Sequence, residues 1–146
     1  MAAVTHWYTA AIKNMMGGLA NSVWDWDTDT IKCSLHTSTY AVSQNADDFF
    51  NDVTNEVSSA GYTAGGVTLA SPTLTVVSNV VQIDAADAAW TGVTFTTRYA
   101  VIYKSTGVAS TSPLIAYIDF GGDQTVNAGN FSIVFAATGV LTATAS

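Results

Sequence analysis

Charge is what this chain has least of. Only 10% of its 146 residues are Asp, Glu, Lys or Arg, where an average soluble domain carries about 25%. A freely soluble monomer usually shows more, so part of this surface is expected to lie against neighbours. The shortage is most severe on the basic side: Lys13, Lys32, Arg98 and Lys104 are the four cations, and the net charge is −7. Four scattered cations cannot follow a phosphate backbone, and an acidic chain is repelled by one. The same balance works against an anionic membrane surface. Neither nucleic acid nor membrane is expected as a partner.

Cysteine is nearly absent. Cys33 is the single one, which excludes an intramolecular disulfide and a cysteine-based metal cluster. Ile31, Cys33 and Leu35 alternate with Lys32, Ser34 and His36, so the thiol reads as a small buried hydrophobe. His6 and His36 are the only histidines, and their spacing is no metal-ligand signature. There is no G-x-S-x-G nucleophile elbow and no glycine-rich phosphate loop ahead of a helix. Ten Asp and one Glu contain no spacing that separates a general acid from a base. Neither catalysis nor a cofactor is expected. No apolar run reaches the roughly 18 residues of a spanning helix, and the N-terminus lacks a leader's basic-then-apolar pattern. The chain is therefore expected to be made in the cytoplasm and to be soluble.

What is present is Thr, Ser, Ala, Val and Gly, with hydrophobic residues at 49%. Length favours one domain over 1–146. Short alternating or apolar runs predict strands at Thr30 to His36, Val67 to Leu69, Thr73 to Val77, Val80 to Asp84, Val93 to Lys104, Leu114 to Phe120, Phe131 to Ala136 and Val140 to Thr144. Tyr99 to Tyr103 and Leu114 to Phe120 are apolar or aromatic at successive positions, which predicts packing on both faces. Ser78-Asn79 between two Val-rich runs is a two-residue hairpin signal. Trp7 to Leu19 carries apolar residues at Tyr8, Ile12, Met15, Met16 and Leu19. That spacing predicts a helix, capped by Thr5 and weakened by Gly17-Gly18. Asn45 to Val53 predicts a second, shorter helix. The loops Ser105 to Ser112 and Gly121 to Asn130 are expected at one end of the fold. The sum is a mainly β protein, an antiparallel β-sandwich of jelly-roll-like type with a short N-terminal helix and one short additional helix. Residues 1–20 form a helical arm in this reading. A different antiparallel sandwich stays open, because chain order does not settle sheet pairing.

Asp25, Asp27 and Asp29 are the best chemical candidate. Three acids at alternate positions begin like a calcium loop, but Thr30 and His36 stand where that loop needs Gly and Glu. The plain reading is a solvated acidic turn, and the sharper one a weak structural calcium site. Asp47, Asp48, Asp52 and Glu56 form a second acidic group, either an exposed helix start or a match for a basic patch on a partner. Trp24, Trp26 and Trp90 raise the alternative of a carbohydrate-binding module, since exposed aromatics stack on sugars; core packing is the plainer reading. Trp7, Tyr8 and Ile12 on the arm, with Trp24, Trp26, Asp47 and Asp48, are the expected partner contacts.

The order of several short motifs adds a resemblance. Asp29-Thr30-Ile31-Lys32, Tyr40, Asp47-Asp48-Phe49-Phe50, Gly61-Tyr62-Thr63-Ala64-Gly65-Gly66, Asp84-Ala85-Ala86-Asp87 with Trp90, the block from Arg98 to Gly122, and Gly129-Asn130-Phe131 follow one another. Together they resemble small virion structural proteins of tailed bacteriophages, of the head decoration or cement kind. The resemblance covers most of the chain and is weakest over Met1 to Ala20. It implies a place in the virion on the outer capsid surface, with the major capsid protein and further copies of the chain, as a homotrimer, for partners. It leaves a tail-, baseplate- or fibre-associated position open, because related small β-proteins are used on heads and on tails.

Overall fold

Long alternation of apolar and hydroxyl side chains from Ala88 onward draws the chain into two strands far longer than the usual about 5–6 residues. The computed structural model describes residues 3–17 and 23–145. In chain order these form β1 (Val4–Trp7), α1 (Thr9–Gly17), β2 (Ile31–His36), β3 (Val67–Thr68), β4 (Thr73–Val77), β5 (Val80–Asp84), β6 (Ala88–Lys104), β7 (Leu114–Ile133) and β8 (Leu141–Thr144). The protein is mainly β, 49% strand and 9% helical, as expected. One antiparallel sheet has the order β1-β7-β6-β2-β3 and the other the order β4-β5-β8. Both contribute to a single core, the smaller one through Ile83 and Leu141. Among the described residues no helix is long and apolar enough to cross a membrane.

The β6–β7 pair is the spine. Ala100, Val101 and Ile102 on one strand and Leu114, Ile115 and Ala116 on the other are fully buried, so both faces of this segment are packed, as their sequence predicts. Beyond Tyr99 the pairing continues to Ala88↔Ile133 through several register shifts. The segment Gly121 to Asn130, expected as a loop, is strand. Its glycines mark irregularities within a ladder, not its end. Tyr99 pairs Asp119 and Thr97 pairs Gln124, so the extra residues on β7 are taken up around Gly121, at φ 76°. Asp119 pins this site by accepting from the Gly121 N–H at 2.8 Å and from Arg98 Nε at 2.8 Å. The Arg98 guanidinium holds the Asp119 carboxyl below the usual carboxylate range. The loop 105–112 therefore lies at one end of the spine while 121–130 runs along it.

The N-terminal segment also departs from expectation. Val4 to Trp7 is strand, paired with β7 from Val4↔Asp119 to Trp7↔Ala116. The helix begins only at Thr9, after the Tyr8 N–H has bonded to Ile115 O at 3.1 Å. A nine-residue helix is too short to be stable alone, and the open side of β7 offers the preceding residues a full set of backbone partners. Gly18 and Leu19, expected to end that helix, lie outside the described residues. The second expected helix shrinks to a turn at 43–47, where Asp47 N bonds Ser43 O at 2.9 Å, followed by one 3-10 turn at Phe50–Asp52.

The hairpin signal at Ser78-Asn79 is realised. Val77 pairs Val80 across it, and both loop residues have positive φ, 46° and 66°, as a type I′ turn requires. Gly66, at φ 77°, lets the chain cross β2 so closely that any Cβ there would overlap the Cys33 carbonyl.

Candidate functional site

The residues nominated from sequence do not converge. Asp25, Asp27 and Asp29 close a turn on themselves: Asp29 N bonds Asp25 O at 3.0 Å, and Asp25 N bonds Asp29 Oδ2 at 2.7 Å. Asp29 also meets Lys104 Nζ at 3.0 Å. A hydrogen bond between Asp25 and Asp27 holds the first carboxyl below its ordinary range and the second above it. Among the described residues no group of three or more His, Cys, Asp or Glu is placed to hold a metal ion.

Burial removes most of the expected partner contacts. Tyr8 and Trp26 are 0% and 1% exposed, and Trp24 and Asp47 are buried as well. Trp26 Nε1 donates to Asp84 O at 2.7 Å, tying the acidic turn to β5. Asp47 ends a hydroxyl relay: Tyr40 OH donates to Asp47 Oδ2 at 2.7 Å, leaving Tyr40 to accept from Tyr8 OH at 2.9 Å. Burial raises both phenols above their ordinary range, so they are neutral struts. Trp7 is partly buried, and its Nε1 reaches Thr142 O at 3.4 Å. Ile12 and Asp48 remain exposed. Burial raises the Asp48 carboxyl, and a hydrogen bond with Asp52 adds to the effect. Trp90 is buried too, so none of the three tryptophans nominated for sugars offers an open ring face. Cys33 is fully buried, and loss of solvation pushes its thiol up to about 12. It is the inert thiol expected.

Two arrangements were not legible in the sequence. The first is Ser34 with His36, on the same face of β2 and both fully buried. His36 Nδ1 lies 2.9 Å from Thr54 O and Nε2 lies 2.8 Å from Ser34 Oγ. A carbonyl only accepts, so Nδ1 carries the proton and Nε2 accepts from the serine. This resembles a nucleophile and its base, but a carbonyl stands where a triad has a carboxylate, and nothing can reach the hydroxyl. The pair is scaffold.

The second is a pocket of about 310 Å³ whose walls include Lys32, Phe50, Glu56, Gly65, Tyr103 and Ser112. Glu56 Oε1 accepts from Tyr62 OH at 2.7 Å and from the Gly65 N–H at 2.6 Å. Tyr103 OH donates to Gly65 O at 2.8 Å, and Phe50 stacks on its ring at 4.0 Å. Burial raises both the Tyr62 and Tyr103 phenols. The Glu56 carboxylate is taken up in fixing the 56–65 loop. Lys32 and Glu56 lie 24 residues apart in sequence, and only the pairing of β2 with its neighbours brings them together.

The exposed surface carries a different signal. Leu74, Val76 and Val77 on β4, Met15 and Met16 on α1, and Val134 are half to more than four-fifths exposed. No known protein family matches this chain, and neither a characterised protein nor a solved structure matches it.

Proposed function

We propose that this protein is a structural subunit of a tailed-bacteriophage particle, a decoration protein that binds the outer head surface and stabilises the joints between capsomers. The observation that carries the reading is the exposure of Met15, Met16, Leu74, Val76, Val77 and Val134 on a chain with 10% charged residues. Surfaces of that kind are covered in an assembly. The order of sequence motifs, which resembles virion proteins of this type, supplies the particle. The action is physical: many copies bury apolar and hydroxyl surface on the shell, and mass action favours the braced state. An acidic protein belongs on the outside of a head, away from packaged DNA.

Quantitative mass spectrometry of purified particles tests this. A copy number near that of the major capsid protein is the expected result. A few to a few tens of copies would move the protein to the tail, baseplate or fibre, and its absence from particles would end the virion reading.

A further inference from the structure

The two sheets end in four strands, β1, β3, β4 and β8. β3 is two residues long. β1 and β8 face each other, with Trp7 Nε1 bonded to Thr142 O. The fourth edge is β4, and all five of its residues are exposed. Among the described residues nothing pairs with its outer side. Open strand edges are templates for pairing, and proteins usually blunt them with charge, proline or a bulge. Within Thr73–Val77 this edge has none of the three, with Pro72 standing just before it. Residues 73–83 hold no charged side chain, although the chain carries a net charge of −7.

The register specifies what fits. In a two-residue hairpin the closing pair, here Val77↔Val80, exchanges its hydrogen bonds, and bonded pairs then alternate. Thr75↔Gln82 and Thr73↔Asp84 are therefore bonded within the hairpin. The N–H and C=O groups of Leu74 and Val76 point away from it. These two residues flank Thr75 symmetrically. An antiparallel copy of the same strand, related by a two-fold axis at Thr75, sets Leu74 of each copy against Val76 of the other and satisfies the four outward groups of each copy. Their side chains share the face of β4 that borders a mostly apolar groove with Met15, Val23, Trp24 and Asp25 on its walls, so pairing also covers exposed Leu74 and Val76. A second copy meets the edge with the neutral residues of β4, whereas the acids at Asp48 and Asp52 would oppose self-contact elsewhere.

We propose that two copies of this chain join through β4, antiparallel about Thr75, making one continuous six-stranded sheet from the two small sheets. The inference stands on the fold alone and is independent of the particle the protein belongs to. It calls for a dimer, in place of the homotrimer that the sequence resemblance implied.

Disulfide trapping tests it on the full chain. Thr75→Cys places one thiol per copy on the axis, in a non-bonded pair with Cα atoms about 4.5 Å apart, within disulfide range. Thr73→Cys, also exposed and on the same face, lies four strand steps or about 14 Å from its symmetry mate. Native Cys33 is buried and stays silent. Under mild oxidation with diamide, Thr75→Cys is expected to run as a covalent dimer and Thr73→Cys as a monomer. Light scattering of the unmodified protein should rise with concentration towards twice 15.2 kDa, and Val76→Lys should hold it at the monomer mass. Failure of Thr75→Cys to cross-link, equal cross-linking by Thr73→Cys, a trimer mass, or a Val76→Lys protein that still dimerises would each overturn the proposal.

Discussion

Deleting residues 1–19 is expected to unfold the protein, not to release a docking arm from an intact β-domain. β1 supplies four residue pairs to β7, and without it that strand becomes an open apolar edge. Tyr8 and Ala11 leave the core with it, both fully buried. Trp7 is the contact between β1 and the small sheet, and its carbonyl accepts from Gln44 Nε2 at 2.8 Å. Point variants grade the loss. Tyr8→Ala opens a cavity beneath β7 and should cost about 3–5 kcal/mol, out of the roughly 5–15 kcal/mol that holds a domain together. Tyr8→Phe keeps the ring and removes only the bond to Tyr40, while Tyr40 retains Asp47, so it should cost about 1 kcal/mol. Urea melts of the two variants, with proteolysis of the 20–146 fragment, measure this. A fragment that melts cooperatively at the full-length midpoint would show the segment to be an appendage after all.

β4 and β5 have the limits expected from Thr73 to Val77 and Val80 to Asp84, because alternation and a turn dipeptide are local signals. The C-terminal end of β6 and the N-terminal end of β7 were equally legible, since only strands packed on both sides stay apolar at every position. Gly121 to Asn130 misled because glycine and asparagine mark bulges as well as turns; only the partner strand decides which. Tyr8 misled for a related reason. Helical spacing of Tyr8, Ile12 and Met15 correctly located a helix, but the start of that helix is set by the open side of β7, more than 100 residues away. Exposure was the least legible property. Trp24 and Trp26 share a turn with three aspartates and still point inward, and the Val-rich β4 points outward. The pocket at Lys32 and Glu56 left no mark in the sequence, because its residues come from separate segments.

Acid is expected to weaken the fold through one side chain, His36. Burial lowers its imidazole from 6.5 to about 4, against a smaller opposing effect of the Thr54 carbonyl. Its surroundings explain why a second proton is unwelcome. Nδ1 already donates to Thr54 O, Nε2 accepts from Ser34 Oγ, and the rings of Tyr40 and Phe50 close the site at 5.5 and 6.3 Å. Protonated Nε2 would face the serine donor unless that hydroxyl turned to Val101 O, 3.4 Å away. The unfolded chain takes up the proton near pH 6.5 and the folded one only near pH 4. Above pH 6.5 both are neutral and stability is at its full value. As pH falls from 6.5 to about 4 the unfolded state is favoured by up to one proton, or about 1.4 kcal/mol per pH unit. Over that window the loss reaches about 3 kcal/mol. Below it the folded state protonates too and this contribution stops growing. Urea melts of the wild type at half-unit steps from pH 7.5 to 4.5 should follow that curve. His36→Gln, which keeps an amide able to meet Thr54 O, should be less stable at pH 7 but nearly level from pH 7 to 5. A wild-type curve that is flat across this range, or a variant that keeps the slope, would move the acid sensitivity to the carboxylates and leave His36 a packing residue alone.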